Sequence, residues 1–123
     1  HPADLALLSD GRIIMTTGYR VGPYGVRGLI GDEEGNFDWA RRFILVDDAI
    51  SRDCGYPSSV VLKDGRVLTV YYATRSKDHP QWSVHCGAVT YAPPSVGKIF
   101  LFSSRVRSFI QYMSFWTTNV SPS

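Results

Sequence analysis

The chain has 123 residues, 44% hydrophobic and 13% aromatic, enough for one small apolar core and too few for several independent ones. Its 13 basic and 11 acidic residues leave a formal net charge of +2, which lacks the signature of a polyanion binder and argues against nucleic acid as a partner. No apolar run approaches the roughly 20 residues of a membrane-spanning helix, so no membrane span is expected.

The basic residues are biased: ten are Arg and three are Lys. A planar guanidinium grips carboxylate or phosphate better than an ammonium does, although an ordinary surface also carries Arg. Two cysteines, Cys54 and Cys86, permit one disulfide or two free thiols and match no metal-ligand spacing. They assign no compartment, and localisation stays open. A start at His1 rather than Met implies that processing or truncation removed an earlier start, and no signal peptide is seen.

In chain order, Leu5 to Leu8 and Arg12 to Gly18 flank Asp10-Gly11, the pattern of a β-hairpin whose Gly accepts positive φ and whose Asp bonds its own backbone. Gly25 to Ile30 reads as a third strand after a Pro-bearing loop, and Phe43 to Val46 as a fourth. The same order then returns. "LLSDGRIIMTTGYR" at 7–20 is echoed by "VLKDGRVLTVYYATR" at 61–75, with Asp64-Gly65-Arg66 lying 54 residues after Asp10-Gly11-Arg12. Ile13, Ile14 and Met15 fall on Val67, Leu68 and Thr69. In the second copy Ser58 to Leu62 pairs with Arg66 to Thr74, Val84 to Tyr91 follows, and Lys98 to Phe102 is the expected fourth strand, reached through Ala92, Pro93, Pro94 and Gly97.

Four antiparallel strands repeated at this spacing match a β-propeller blade slightly longer than the usual ~40–50 residues. The expected fold is therefore all-β: a partial β-propeller of about two blades, 1–48 and 55–104, within a unit spanning 1–104. A meandering sandwich with two Asp-Gly hairpins is the alternative. Residues 105–123 form a tail in which Val106, Phe109, Ile110 and Met113 recur at helical spacing, giving either a short amphipathic helix or an extended strand. Asn119-Val120-Ser121 matches a glycosylation triplet, which is common by chance.

Three stretches, "LLSDGRIIMTTGYRVGPYGVRGLIGDEEG", "DCGYPSSVVLKDGRVLTVYYATR" and "HCGAVTYAPP", resemble the sialidase (neuraminidase) superfamily, whose propeller blades carry Asp-box (BNR) repeats. The box is worn in "GDEEGNFDW": Gly31 stands where Ser is expected, Glu33 where the box Asp should be, Gly35 is kept, and Trp39 comes one residue late. In the family this box joins the third strand to the fourth and does not touch substrate, so Asp32, Glu33 and Glu34 read as a solvated turn. The resemblance implies a ring of about six blades, so the chain would be a piece whose exposed blade edges are open to self-association.

Antiparallel order then sorts the loops into two ends. The Asp-Gly turns and the worn box share the lower end, while His1 to Asp4, Tyr19 to Gly25, Asp53 to Tyr56 and Arg75 to His85 gather at the upper end, where propellers hold ligands. The resemblance implies an exo-sialidase-like glycoside hydrolase acting on terminal acidic sugars, with a Tyr nucleophile, a Glu that deprotonates it, an Asp acid/base and an Arg clamp for the substrate carboxylate. Asp53 and Tyr56 are the candidate catalytic residues, against turn-capping and inter-blade packing roles. Arg20, Tyr24, Arg27, Arg75 and His85 are the candidate substrate-binding residues, with His79 and Trp82 beside them. The family's Arg-Ile/Leu-Pro motif is missing and no Glu lies at the upper end, so the isolated chain is expected to be inactive. A non-catalytic propeller that binds glycan or protein is the alternative function. The expected partner is a glycan or acidic sugar; no cofactor and no metal are expected.

Overall fold

The computed structural model describes residues 2–95 and the strand at 111–116. The described residues form an all-β structure of two four-stranded antiparallel sheets, with one 3-10 turn at Trp39–Arg41. The first sheet holds β1 (Ala3–Leu7), β2 (Ile13–Tyr19), β3 (Tyr24–Gly31) and β4 (Phe43–Ala49) in sequential order. The second holds β5 (Cys54–Val61), β6 (Val67–Thr74), β7 (Val84–Tyr91) and β8 (Gln111–Trp116), also in sequential order.

The duplicated Asp-Gly segment closes both hairpins alike. The Leu8 N–H donates to the Arg12 carbonyl at 2.8 Å and the Gly11 N–H to the Leu8 carbonyl at 3.0 Å; Leu62 to Arg66 and Gly65 to Leu62 repeat these bonds at 2.7 and 2.9 Å. Gly11 and Gly65 sit at φ of +90° and +86°, a conformation that strains any residue with a Cβ. Asp10 and Asp64 each accept the backbone N–H of the Arg two residues on, both at 3.1 Å. Those bonds, with the guanidinium behind them, hold both carboxyls below the usual carboxylate range.

The two sheets pack face to side through β5, which lies against β1, β2 and β3 of the first sheet. Pleating decides which residues meet, because alternate side chains take opposite faces. On the first sheet Ile14, Val26 and Phe43 face inward; on the second Val67, Tyr71, Val89 and Tyr91 answer them, and all are buried in one cluster. Phe43 meets Tyr91 edge-on, ring centroids 6.2 Å apart. Each such side chain contributes roughly 1.5–3 kcal/mol on burial. Through this apolar contact runs a line of hydroxyls: Thr16 to Ser59 at 3.0 Å, Ser59 to Thr69 at 2.8 Å, Thr69 to Tyr91 at 2.9 Å. Burial pushes the Tyr91 phenol pKa up, against the opposing pull of its Thr69 bond.

Backbones touch where glycines allow it. Gly18 of β2 faces Gly55 of β5, and a Cβ on Gly55 would stand 2.8 Å from the Gly18 Cα. A clasp adds to this at the rim. The buried Ser76 hydroxyl donates to the Asp48 carboxylate, and the Lys77 N–H donates to the Asp48 carbonyl at 2.8 Å.

Three details refine the sequence reading. The strand paired with β7 is Gln111–Trp116, in register from His85↔Trp116 to Thr90↔Gln111. Of the two readings of the tail, helix or extended strand, residues 111–116 take the strand: an open β7 edge offers a row of ladder bonds, and a segment with Tyr112, Phe115 and Trp116 has strand propensity. The expected strand at Lys98–Phe102, most of the tail, the Asn119 triplet and His1 lie outside the described residues. At the worn box the organising carboxylate is Asp32, not Glu33. Asp32 Oδ1 accepts the N–H groups of Glu34 and Asn36, both at 2.9 Å, because a short Asp side chain reaches its own following backbone and a Glu overshoots it. Finally, Cys54 and Cys86 are both free thiols, the first buried and the second exposed.

Candidate functional site

The upper end is built by the β2–β3 and β6–β7 loops and by the start of β5. The sequence Cys54-Gly55-Tyr56-Pro57 enters β5 through a bulge: the pairing with β6 shifts between Gly55 and Ser58. Gly55 takes φ +111° and Tyr56 φ +50°, a left-handed conformation unusual for an aromatic residue. The bulge turns Tyr56 outward, where it is 54% exposed. Backbone strain of about 1–3 kcal/mol persists only where the surroundings impose it; here the close Gly18–Gly55 crossing does so, against the extended backbone that a residue before proline ordinarily takes.

Around Tyr56 the fold gathers residues far apart in sequence. The Arg20 guanidinium lies over the Tyr56 ring, 5.2 Å from its centroid, and its Nε donates to the Cys54 carbonyl at 3.2 Å. The Tyr56 side chain first, and Asp53 more weakly, favour the charged guanidinium and raise its pKa. Tyr72 meets Tyr56 edge-on at 6.2 Å, and its hydroxyl donates to Asp53 Oδ2 at 2.8 Å. That bond keeps the Tyr72 proton in place and raises its pKa, since a phenolate there would face a carboxylate. Asp53 is itself fixed: its N–H donates to the Ser51 hydroxyl at 3.1 Å, and its carbonyl accepts the Thr74 N–H at 3.2 Å and the Thr74 hydroxyl at 3.1 Å.

Asp53, Tyr56 and Arg20 are thus brought together, as the loop sorting expected, and Tyr72 joins them. Sequence reasoning passed over Tyr72 as one more strand residue. A signal was nonetheless present: 54 positions earlier stands Gly18, so the repeat substitutes the bulkiest kind of residue for the smallest at this level of the sheet.

The other candidates are placed elsewhere. Arg27 is 3% exposed, and its guanidinium donates to the carbonyls of Val46 and Pro23, both at 2.7 Å, while lying 4.1 Å from the Tyr19 ring centroid. It ties β3 to β4 and does not reach the upper surface. Tyr24 packs half-buried against the core cluster. His85 is buried, its Nδ1 2.9 Å from the Ser83 carbonyl and its ring 4.9 Å from that of Trp82. Arg75, also at positive φ, lines a hollow of about 420 Å³ with Ile50, Lys77 and Trp82. His79 stacks on Trp82 at 3.8 Å in the same loop. This loop has nine residues between β6 and β7, against four between β2 and β3, which gives the second copy its larger upper surface.

Both glutamates of the chain, Glu33 and Glu34, lie at the lower end. A Cβ on Gly11 would meet the Glu33 carboxylate at 3.1 Å, which puts that group beside the first Asp-Gly turn. Among the described residues, no three His, Cys, Asp or Glu side chains are grouped to hold a metal ion.

No family model matches the chain and no curated protein matches it. Among solved structures it is similar to the crystal structure of a protein of unknown function from Dyadobacter fermentans, at 31% identity and a TM-score of 0.61 over 73% of this chain. The match covers 24% of that protein, so the chain spans about a quarter of the length of this relative.

Proposed function

We propose that the chain is a two-blade portion of a sialidase-type β-propeller whose upper end binds an acidic sugar, and that alone it binds without hydrolysing. Two sequential four-stranded meanders, the inner strand of one laid across the face of the other, support the propeller reading. The relative's size is compatible with it. A match over 73% of 123 residues is about 90 residues, and 24% coverage then implies a protein of roughly 370, with room for six or seven units of this length.

The observation that carries the binding reading is the Arg20–Tyr56 contact beside the Tyr72–Asp53 bond, held on strained backbone at an exposed surface. Arg20 donates its Nε–H to the Cys54 carbonyl and its guanidinium also bonds the Tyr56 side chain, which fixes the planar fork and leaves its remaining N–H groups for a carboxylate. The crossed Tyr56 and Tyr72 rings offer an apolar wall to the C–H face of a sugar ring. Asp53 keeps Oδ1 for a sugar hydroxyl.

Hydrolysis through a Tyr nucleophile needs a carboxylate to take the phenol proton. Asp53 is bonded to Tyr72 rather than to Tyr56, and both glutamates are at the other end. A complete hydrolase would therefore draw its Glu and further Arg groups from outside this chain.

Titration with N-acetylneuraminate, followed by amide NMR shifts, tests the reading. Shifts centred on Arg20, Tyr56 and Tyr72, absent with galactose and lost in Arg20→Met, are expected, with no release from a fluorogenic sialoside. Equal response to the neutral sugar, or an Arg20→Met variant that binds as well, overturns the binding reading; turnover by the purified chain overturns the claim of inactivity.

A further inference from the structure

The duplication makes each sheet face comparable with its counterpart 54 residues away, and the comparison identifies what the two outermost faces of the molecule fit. In the observed contact between sheets, the first sheet presents Asp4, Ala6, Ile14 and Thr16; the second presents Ser59, Val61, Val67, Thr69 and Tyr71. Adding 54 to the first set gives Ser58, Val60, Leu68 and Val70, which pleating puts on the far face of the second sheet. Subtracting 54 from the second set gives Leu5, Leu7, Ile13, Met15 and Thr17, on the far face of the first. The two outer faces are thus the two halves of the inner contact, each lacking its mate.

Both carry exposed apolar groups. Leu5 and Leu7 are 60% and 68% exposed, Val60 and Val70 are 52% and 43% exposed. Their chemistry is matched as well as their position. Inside, Ser59 meets Thr16 hydroxyl to hydroxyl; the equivalent outer positions are Leu5 and Val70, apolar to apolar. The inner hydroxyl line Ser59, Thr69, Tyr91 starts at residues whose first-copy equivalents are Leu5 and Met15. Each face is the counterpart of the other and not of itself, since one is the inner-strand side of its sheet and the other the receiving side.

We propose that the chain associates head to tail with a second copy of itself, the Val60–Val70 face of one receiving the Leu5–Leu7 face of the next. Such a contact is heterologous, so it leaves an unused face at each end of a pair and extends until it closes or is capped. It rests on the observed packing of the two sheets and not on the ligand reading above.

Sedimentation velocity on the chain and two single variants, Leu5→Glu and Val70→Glu, tests it. The wild type is expected to grow past the dimer with concentration. Each variant alone is expected to stop growing, because every pair would place a carboxylate in the contact from one partner. Yet an equal mixture is expected to form pairs through the one intact combination of faces, and to stop at two copies. Far-UV circular dichroism and thermal midpoints of the variants check that both fold; if one does not, Val60→Lys replaces Val70→Glu and Leu7→Glu replaces Leu5→Glu. A wild type that stays monomeric at its highest soluble concentration, a wild type that stops at the dimer, or variants whose mixture fails to pair overturns the proposal.

Discussion

Substituting Gly55 by Ala is expected to weaken this fold, and two separate terms set the size of the loss. A residue with a Cβ at φ +111° loses about 1–2 kcal/mol to backbone sterics. The new methyl would also stand 2.8 Å from the Gly18 Cα, where carbon atoms prefer about 3.5–4.0 Å. Neither neighbour is a side chain that can swing away, so the sheets must part, at an overpacking cost of about 1–3 kcal/mol. Together these remove about 2–5 kcal/mol from a fold whose whole stability is of order 5–15 kcal/mol. Gly18→Ala is the internal control: its methyl would lie 3.1 Å from the Gly55 Cα, but on extended β2 backbone, so only the packing term applies. Urea unfolding followed by tryptophan fluorescence and circular dichroism is expected to rank Gly55→Ala below Gly18→Ala by about 1–2 kcal/mol, the backbone term alone. Equal losses in the two variants, or no loss in either, refute the reasoning about this crossing.

Three further outcomes are expected. Tyr91→Phe removes the last hydroxyl of the buried line while Thr69 keeps Ser59 as a partner, so unfolding measurements are expected to show a loss of about 1 kcal/mol, at the low end of the about 1–3 kcal/mol of a stranded group. Tyr72 is expected to ionise above free tyrosine in an NMR pH titration and to return toward it in Asp53→Asn. Because its folded pKa is raised, the stabilising Tyr72–Asp53 bond is fully present below the unfolded tyrosine pKa and is lost as pH rises through the folded value. In a native-state thiol assay Cys86 is expected to react promptly and Cys54 only on unfolding, since burial removes Cys54 from solvent and raises its pKa. Two promptly reactive thiols would contradict the packing of Cys54 beneath the upper loops.

Much of this architecture was written locally and could be read locally. An Asp-Gly-Arg triplet dictates its own turn through bonds two and three residues long, which is why both hairpins and the 54-residue offset were visible in the sequence. Loop sorting by strand direction likewise put Asp53, Tyr56 and Arg20 at one end. What could not be read depends on partners distant in sequence. Tyr72 becomes a site residue only because β5 bulges and brings Asp53 within reach, 19 residues away. Arg27 looked like a clamp because Arg often is one, but carbonyls of Pro23 and Val46 claim it. At the tail, the spacing of Val106, Phe109, Ile110 and Met113 leaves helix and extended strand both open; the open side of β7, a tertiary demand, takes residues 111–116 as the strand.

The line of hydroxyls through the inner contact acts as a key in a lock. Apolar side chains are interchangeable to a first approximation, so a wholly greasy seam could slide by one pleat at little loss. Displacing Thr16, Ser59 and Thr69 by that distance would bury donors and acceptors without mates, at about 1–3 kcal/mol each. The joint between the sheets is therefore notched to a single alignment, and the exposed Arg20–Tyr56 arrangement, whose members come from both sheets, inherits its spacing from that notch.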